Sequence, residues 1–118
     1  MAIREKDQSE AARSNDPPVL ILTSLASGPK HGYALLQDIA SFAGVTLGPG
    51  TLYGAISRLE ERGLIEALGA SGRRRPYRLT AAGAVALEAA LAELRAIVEE
   101  GAARLAAGPR AVFAGGLG

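Results

Sequence analysis

Residues 46–66 read TLGPGTLYGAISRLEERGLIE, and this stretch is compatible with two folds. In the first, a short strand enters a glycine loop, a helix follows, and a second strand ends on an acid, Glu66, as in a dinucleotide-binding βαβ unit. In the second, Gly48 and Pro49 begin a helix that packs on other helices, because proline is tolerated in the first helical turn. The two folds imply different functions, so the choice between them decides how the chain is interpreted.

Glycine spacing weighs against the nucleotide site. Such a site requires G-x-G-x-x-G between a strand and a helix, whereas Gly48, Gly50 and Gly54 have one residue too many between the last two. The candidate strand is short, residues 45–47, and directly follows a predicted helix. A phosphate-binding Gly-Lys-Ser/Thr motif is also absent from the sequence. We therefore favour the second fold.

As a helix, residues 49–62 have one apolar face and one outward face. Leu52, Ile56 and Leu59 follow the i, i+4, i+7 spacing of a face that packs on a core. The opposite face carries small and polar residues, namely Gly50, Gly54, Ser57, Arg58 and Glu61, flanked by Thr51 and Tyr53. A helical glycine costs about 1 kcal/mol relative to alanine. Two glycines on an outward face therefore favour close approach by another surface, such as a DNA groove.

The polar side chains of this outward face suit contact with DNA. Ser57 can bond a phosphate or a base, Arg58 can form a forked pair with guanine or phosphate, and Thr51 can contact a thymine methyl group. Tyr53 lies at the edge of the apolar face, so partial packing in the core is an equal alternative for it. These four residues are the candidate DNA contacts of a recognition helix.

The rest of the chain predicts two helices before this one, and a hairpin and a helix after it. A short apolar helix over residues 19–26 is followed by a helix over residues 31–43. Strands over residues 64–68 and 76–79 form the hairpin, and a last helix runs from the cap at Thr80 to about residue 107. This is the order of a winged helix-turn-helix, in a mostly α chain with a small β-hairpin.

Local signals set the bounds of these elements. Asp16, before two prolines, can cap the first helix, and Gly44 and Gly63 are suited to end the second and third. The face of the second helix predicted to enter the core carries Leu35, Ile39 and Phe42.

Positive charge is concentrated in the middle of the chain. The whole chain carries +1. Residues 30–78 alone carry +3, seven basic minus four acidic: Lys30, Arg58, Arg62, Arg73, Arg74, Arg75 and Arg78 against Asp38, Glu60, Glu61 and Glu66. This asymmetry suggests an anionic partner, and a solvated surface with local ion pairs is an equal alternative.

The predicted hairpin has an arginine-rich tip. Arg73, Arg74 and Arg75 would lie along the DNA backbone or in the minor groove, where arginine is favoured electrostatically; a solvated loop is the alternative. Lys30, at the start of the second helix, is a further candidate phosphate contact. His31 beside it is equally suited to be a cap or a surface residue.

The last predicted helix carries an apolar seam with heptad spacing. Its members are Leu87, Leu91, Leu94, Val98 and Leu105, with Gly101 in the one seam position that lacks an apolar side chain. Packing on the chain's own core would explain the seam. Dimerisation explains it better, because the helix is long for so small a domain.

Several classes of protein are disfavoured by composition. The chain has no cysteine and a single histidine, which argues against thiolate metal sites, two-histidine metal sites and Ser-His catalysis. No catalytic residue, metal or cofactor is predicted. No apolar run has the length of about 18 residues that a membrane span needs, and the charged N-terminus does not read as a signal peptide. A cytoplasmic protein that is not an enzyme is the expectation.

The motifs of the chain resemble those of the PadR-like (phenolic-acid-response) family of transcriptional regulators. They are HGY at 31–33, GTLY at 50–53, RLE at 58–60, GLI at 63–65 and PYRLT at 76–80. Each motif is weak by itself, but together and in this order they are specific, and the resemblance covers about residues 19–105. It implies a homodimer joined through the C-terminal helix that reads a pseudo-palindromic operator in double-stranded DNA, usually as a repressor.

The order of predicted elements divides the chain into a winged helix-turn-helix over residues 17–80 and a dimerisation helix over 81–107. A polar N-terminal extension, 1–16, and a glycine-rich tail, 108–118, expected to be disordered, lie outside the resemblance. Thr51, Tyr53, Ser57 and Arg58 fall on the reading helix, Arg73 to Arg75 on the wing, and Leu87, Leu91, Leu94 and Val98 in the dimer interface. Drug binding by stacking on a tryptophan is not expected, since the chain has none, and a small-molecule effector stays possible but unidentified.

Two other functions remain as alternatives. A winged helix can bind protein instead of DNA, because fold does not determine function. A small nucleotide-binding enzyme is the third interpretation.

Overall fold

A computed structural model describes residues 16–69 and 75–117, without the side chains of residues 110–117. Its helices and strands are, in chain order, α1 (Pro17–Leu25), α2 (Gly32–Ala43), α3 (Pro49–Glu61), β1 (Ile65–Ala67), β2 (Tyr77–Leu79) and α4 (Ala81–Leu117). The chain divides at Glu88 into two units, the first holding α1 to β2 with the start of α4 and the second holding the rest of α4. The order of elements is that of a winged helix-turn-helix followed by a C-terminal helix, as predicted.

Helix α1 lies in the middle of the core of the first unit. Leu20, Ile21, Leu22 and Leu25 are buried, because α1 contacts α2, α3 and β2 and therefore has cover on several sides. Proline at its start agrees with the prediction. The predicted cap is wrong: Asp16 is at the N-cap position with extended backbone, but its side chain makes no capping hydrogen bond.

Helix α2 confirms most of its predicted face. Leu35 and Ile39 are fully buried, and Gly44 ends the helix with φ 68° and an N–H that donates to the carbonyl of Ala40. Phe42 is 47% exposed, so its predicted place in the core is wrong. It shares the angular position of the buried residues, but angle alone does not say how far along a helix the cover extends.

Helix α3 forms as the second interpretation of residues 46–66 predicted. Gly48 is the N-cap, Pro49 the first helical residue, and the inward side chains Leu52, Ile56 and Leu59 are buried. Residues 45–48 form no strand, and the sheet of the described residues is two-stranded and antiparallel. The parallel strands that a βαβ unit requires are thus not found in this part of the chain.

The end of α3 is a Schellman motif. Gly63 has φ 74°, the left-handed region that glycine adopts without strain. The N–H of Leu64 donates to the carbonyl of Leu59 (3.0 Å), and the N–H of Gly63 donates to that of Glu60 (2.9 Å). The chain therefore leaves α3 in a direction held by backbone bonds and enters β1 directly.

The hairpin β1–β2 is shorter than the predicted strands 64–68 and 76–79. Its register pairs Ile65 with Leu79, Glu66 with Arg78 and Ala67 with Tyr77. Lys30 adds a bridge that the sequence did not indicate: its N–H donates to the carbonyl of Tyr77 (3.1 Å) and its carbonyl accepts from the N–H of Tyr77 (2.9 Å). The start of β2 is thereby fixed to the loop between α1 and α2.

Helix α4 begins after Thr80, which caps it as predicted. The side-chain oxygen of Thr80 accepts from the N–H of Gly83 at 3.0 Å. Gly108, where the helix was predicted to stop, is non-helical with φ 74°. Helical backbone follows that break up to Leu117, over residues for which a disordered tail was predicted. None of the helices described is both long enough and apolar enough to cross a membrane.

Candidate nucleic-acid interface

The outward face of α3 is exposed as its spacing predicted. Thr51, Ser57 and Arg58 are exposed, while the buried side chains on the other side of the helix hold it against the core. The face is therefore firmly supported and open to a partner. No side chain caps the start of α3, so the backbone N–H groups of Gly50 and Thr51 lack a partner within the helix, and such groups favour phosphate.

Gly50 and Gly54 lie on this face without a reason in the fold. A Cβ built on Gly50 would have no heavy atom of the described residues within 4 Å. At Gly54 the nearest atom would be the Arg58 Nη1, at an ordinary contact distance of 3.7 Å. Neither residue has a positive φ. Alanine would therefore fit at both positions and would stabilise the helix by about 1 kcal/mol each.

Tyr53 packs on the backbone at the start of α2. A Cβ on Gly32 would lie 2.1 Å from the Tyr53 hydroxyl oxygen and 2.7 Å from its Cζ, so the ring can lie in this position only while residue 32 is glycine. The side chain is 43% exposed. Of the two alternatives left open for Tyr53, packing is therefore present, and part of the ring still faces outward. The signal in the sequence was Gly32, which stands at a helix start where no turn requires it.

Lys30 has a structural role that sequence reasoning missed. Its ammonium donates to the carbonyl of Ser24, to the Ser27 Oγ (2.8 Å) and to the carbonyl of Gly28 (3.3 Å). These acceptors lie at and just after the end of α1, where helix carbonyls lack partners. A phosphate would have to compete with them for the ammonium.

A buried hydrogen bond joins α1 to α2 beneath this loop. Ser24 is buried, and its Oγ donates to the Asp38 Oδ2 at 2.6 Å. A hydrogen bond to a charged acceptor contributes more than a neutral one, about 1.5–3 kcal/mol. The half-buried Asp38 is thus engaged by α1 through one carboxylate oxygen.

The wing is only partly described. Arg75 is half-buried at the base of β2, whereas Arg73 and Arg74 lie outside the described residues. Arg78 forms a salt bridge with Glu66, directly across the hairpin. Both side chains are about half exposed, so the pair contributes at most about 1 kcal/mol to stability. Glu66, the acid that would end the second strand of a dinucleotide-binding unit, is therefore the partner of a wing arginine.

No second site is marked in the described part of the chain. It contains no group of three His, Cys, Asp or Glu residues that could hold a metal ion. It also contains no buried side-chain nitrogen or oxygen without a hydrogen-bond partner. The outward face of α3 and the hairpin beside it are the features that the geometry singles out.

The apolar seam of α4 changes character along the helix. Leu87 is buried in the first unit, Leu91 and Leu94 are half-buried, and Val98 (66%) and Leu105 (84%) are exposed. Ile97 beside the seam is exposed as well. Leu87 is thus buried in the core of the first unit, while the rest of the seam leaves apolar surface open.

Comparison with known proteins gives a family match. The sequence model of the transcriptional regulator PadR-like family matches residues 21–89. A curated relative, the uncharacterized 37.1 kDa protein in transposon TN4556 of Streptomyces fradiae, is 50% identical over 76 residues. That match covers 64% of this chain and 22% of the relative, so the chain spans about a fifth of that protein's length.

Solved structures with the same fold also match. A PadR family transcription regulator from hypervirulent Clostridium difficile R20291 is 30% identical with a TM-score of 0.64, covering 70% of this chain and 91% of that one. A PadR family transcriptional regulator from Eggerthella lenta DSM 2243 is 28% identical with a TM-score of 0.68, covering 80% and 86%. The family match therefore extends from sequence to fold.

Proposed function

This chain belongs to the PadR-like family of transcriptional regulators, and on that premise we propose that it binds double-stranded DNA in a sequence-specific way, as a dimeric repressor. The observation that carries the proposal is the glycine face of α3. The fold has room for a methyl group at Gly50 and at Gly54. Because the fold does not require glycine at these positions, the lack of a side chain points to a partner outside the chain. Among the partners of transcriptional regulators, a DNA groove requires the closest approach of helix backbone.

The chemistry of the contact follows from the neighbours of these glycines. With α3 in the major groove, Arg58 would form two hydrogen bonds with the O6 and N7 of a guanine, and Ser57 would bond a base or phosphate. Thr51 would contact a thymine methyl group or a phosphate near the start of the helix. Tyr53 would mainly position α3 against α2 through its contact with Gly32.

The wing would add affinity more than specificity. Arg75 lies just before β2, and Arg73 and Arg74 precede it in the sequence of the wing. Arginines at such a tip contact phosphates or enter a narrow minor groove, where the negative potential is strongest. Since Arg78 is paired with Glu66, we expect the three consecutive arginines to supply most of the charge on this side.

Dimerisation through α4 is proposed from its exposed apolar residues. Ile97, Val98 and Leu105 are far more exposed than is usual for side chains of their kind, and Leu91 and Leu94 continue the same seam. A second copy would cover them by knobs-into-holes packing. Two copies related by a two-fold axis would read half-sites about 34–36 Å apart, one turn of DNA. Repression follows if such an operator overlaps a promoter.

Selection of bound fragments from random and genomic DNA tests the proposal. We expect a palindromic consensus, with binding that weakens steeply as salt increases, because each neutralised phosphate contributes about 0.9 to the log–log slope. Arg58→Ala should relax the preference at one base of each half-site by about 1–3 kcal/mol. Failure to select any consensus at low salt would favour the alternative, a winged helix that binds protein.

A further inference from the structure

The start of α4 touches the segment between α3 and β1 without any space between their backbones. A Cβ built on Gly83 would lie 2.0 Å from the carbonyl oxygen of Leu64 and 2.8 Å from the Leu79 Cδ1. Gly83 has no positive φ, so what requires glycine here is space and not conformation. Leu64 is the residue that closes the Schellman motif of α3 and leads into β1.

Thr80 bonds the same two segments together. Its hydroxyl donates to the carbonyl of Gly63 (2.7 Å) and accepts from the N–H of Gly83 (3.0 Å). Its backbone N–H donates to the carbonyl of Leu64 (3.1 Å). One residue thus caps α4 and at the same time binds the two residues that follow α3.

We propose that Thr80 and Gly83 form a rigid joint that sets the angle between α3 and the first turns of α4, and thereby the spacing of the half-sites that the dimer accepts. The inference rests on the proposed function, since it needs two copies joined through α4. Thr80 and Gly83 would act as positioning residues that do not touch DNA.

The joint matters because the first turns of α4 lead into the part of the helix through which the two copies are proposed to join. An angle held between α3 and these first turns restricts the directions in which α3 of each copy can enter DNA.

Distance measurement between the two copies tests the joint without DNA. The chain has no cysteine, so Glu61→Cys supplies a single spin-label site on exposed α3 in each copy. We expect a narrow distance distribution that Gly83→Ala shifts or broadens by several Å. Ala82→Ser is the control, because it adds one heavy atom to the same turn of α4 at an exposed position outside the seam.

Each outcome decides the matter. An unchanged distance in folded Gly83→Ala overturns the joint but leaves the DNA-binding dimer in place. A parent chain that yields no distance between copies is not a dimer, and this overturns the inference together with the proposed dimer.

Should Gly83→Ala not fold, the Thr80 hydroxyl gives a second test. Thr80→Val removes both hydroxyl bonds without adding volume at Gly83, and Thr80→Ser keeps them. We expect Thr80→Val to broaden the distribution of distances between the two spin labels. We also expect it to reduce about tenfold the preference for the selected operator over operators that have one base pair more or less between the half-sites. Thr80→Ser should restore both. Parent behaviour in Thr80→Val would overturn the joint.

Discussion

At positions 50 and 54, helix α3 carries glycine although the fold has room for a methyl group at both. This differs from Gly32 and Gly83, where a neighbouring atom already occupies the place of a Cβ. The same residue type therefore has two meanings in one domain. Gly32 and Gly83 serve the packing of the chain on itself, and Gly50 and Gly54 leave space for something outside it.

Gly54→Ala should stabilise the protein and weaken DNA binding. Removing a helical glycine is expected to raise the free energy of unfolding by about 0.5–1 kcal/mol, and the new methyl group should lower operator affinity about tenfold or more by forcing the helix out of the groove. Urea denaturation and a binding titration measure the two effects. Gly101→Ala, at another open helical position, should stabilise without changing affinity for a single half-site. Unchanged affinity in Gly54→Ala would contradict close approach at this face.

Gly32→Ala should destabilise the fold by about 0.5–1.5 kcal/mol, because the partly exposed Tyr53 side chain has to turn away from its preferred rotamer. The cause would be the collision of the new Cβ with the Tyr53 hydroxyl. Tyr53→Phe removes that nearest atom, so the cost of Gly32→Ala should be smaller in the Tyr53→Phe background. A double-mutant cycle by urea denaturation gives the coupling. Additive costs would mean that Tyr53 is not what requires glycine at this position.

At the scale of elements, the sequence predicted α1 to α3 and the hairpin to within about two residues of their bounds. It could do so because local signals at Pro49, Gly44 and Gly63 act through backbone conformation, which a sequence displays directly. Phe42 and Lys30 were interpreted wrongly or incompletely for the opposite reason. Cover over the last turn of α2 and the backbone bridge between Lys30 and Tyr77 are set by packing between elements.

The candidate site divides in the same way. Helical spacing was enough to predict which face of α3 is exposed. It could not predict that Tyr53 lies on Gly32 or that Glu66 pairs with Arg78, because both contacts join segments whose arrangement only the folded chain defines. The DNA contacts of Thr51, Ser57, Arg58 and the wing arginines stay predictions.

Replacing Arg73, Arg74 and Arg75 by alanine should flatten the salt dependence of DNA binding. Each lost phosphate contact reduces the log–log slope by about 0.9, so a decrease of about 2.7 for each wing, or about 5.4 for a dimer that places both wings on the operator, is the largest expected. Titration of the selected operator at several salt concentrations measures it. Arg104→Ala, which removes a charge paired with Glu100 on α4, should leave the slope unchanged. A parent slope in the triple variant would mean that the wing does not contact phosphate.

At the scale of the whole molecule, the two units differ in how far each buries its own apolar side chains. The first unit buries side chains from every one of its elements in a shared core. In the second, Ile97, Val98 and Leu105 stay open along a helix whose opposite side is charged or small. Heptad spacing predicts that such a seam has a partner helix, but not which copy or direction supplies it.

Leu91→Glu combined with Leu94→Glu should convert the dimer to monomer. Two carboxylates in a dry seam would have to be desolvated without a partner, which costs several kcal/mol. Sedimentation velocity over a concentration series measures the association state. Ala92→Glu with Ala96→Glu adds the same charge at exposed positions away from the seam and should keep the dimer. A double seam variant that associates like the parent would place the interface elsewhere.

The open space above Gly50 and Gly54 has a consequence for directed evolution of this protein toward higher thermostability. Alanine at both positions would add about 2 kcal/mol, roughly a thirtyfold change in the ratio of folded to unfolded chains. A screen that selects only for stability at high temperature would therefore recover these two substitutions early. The selected variants would have lost affinity for their DNA site. A screen for stable variants should also select for DNA binding in the same round, so that stability is not gained together with a loss of DNA affinity.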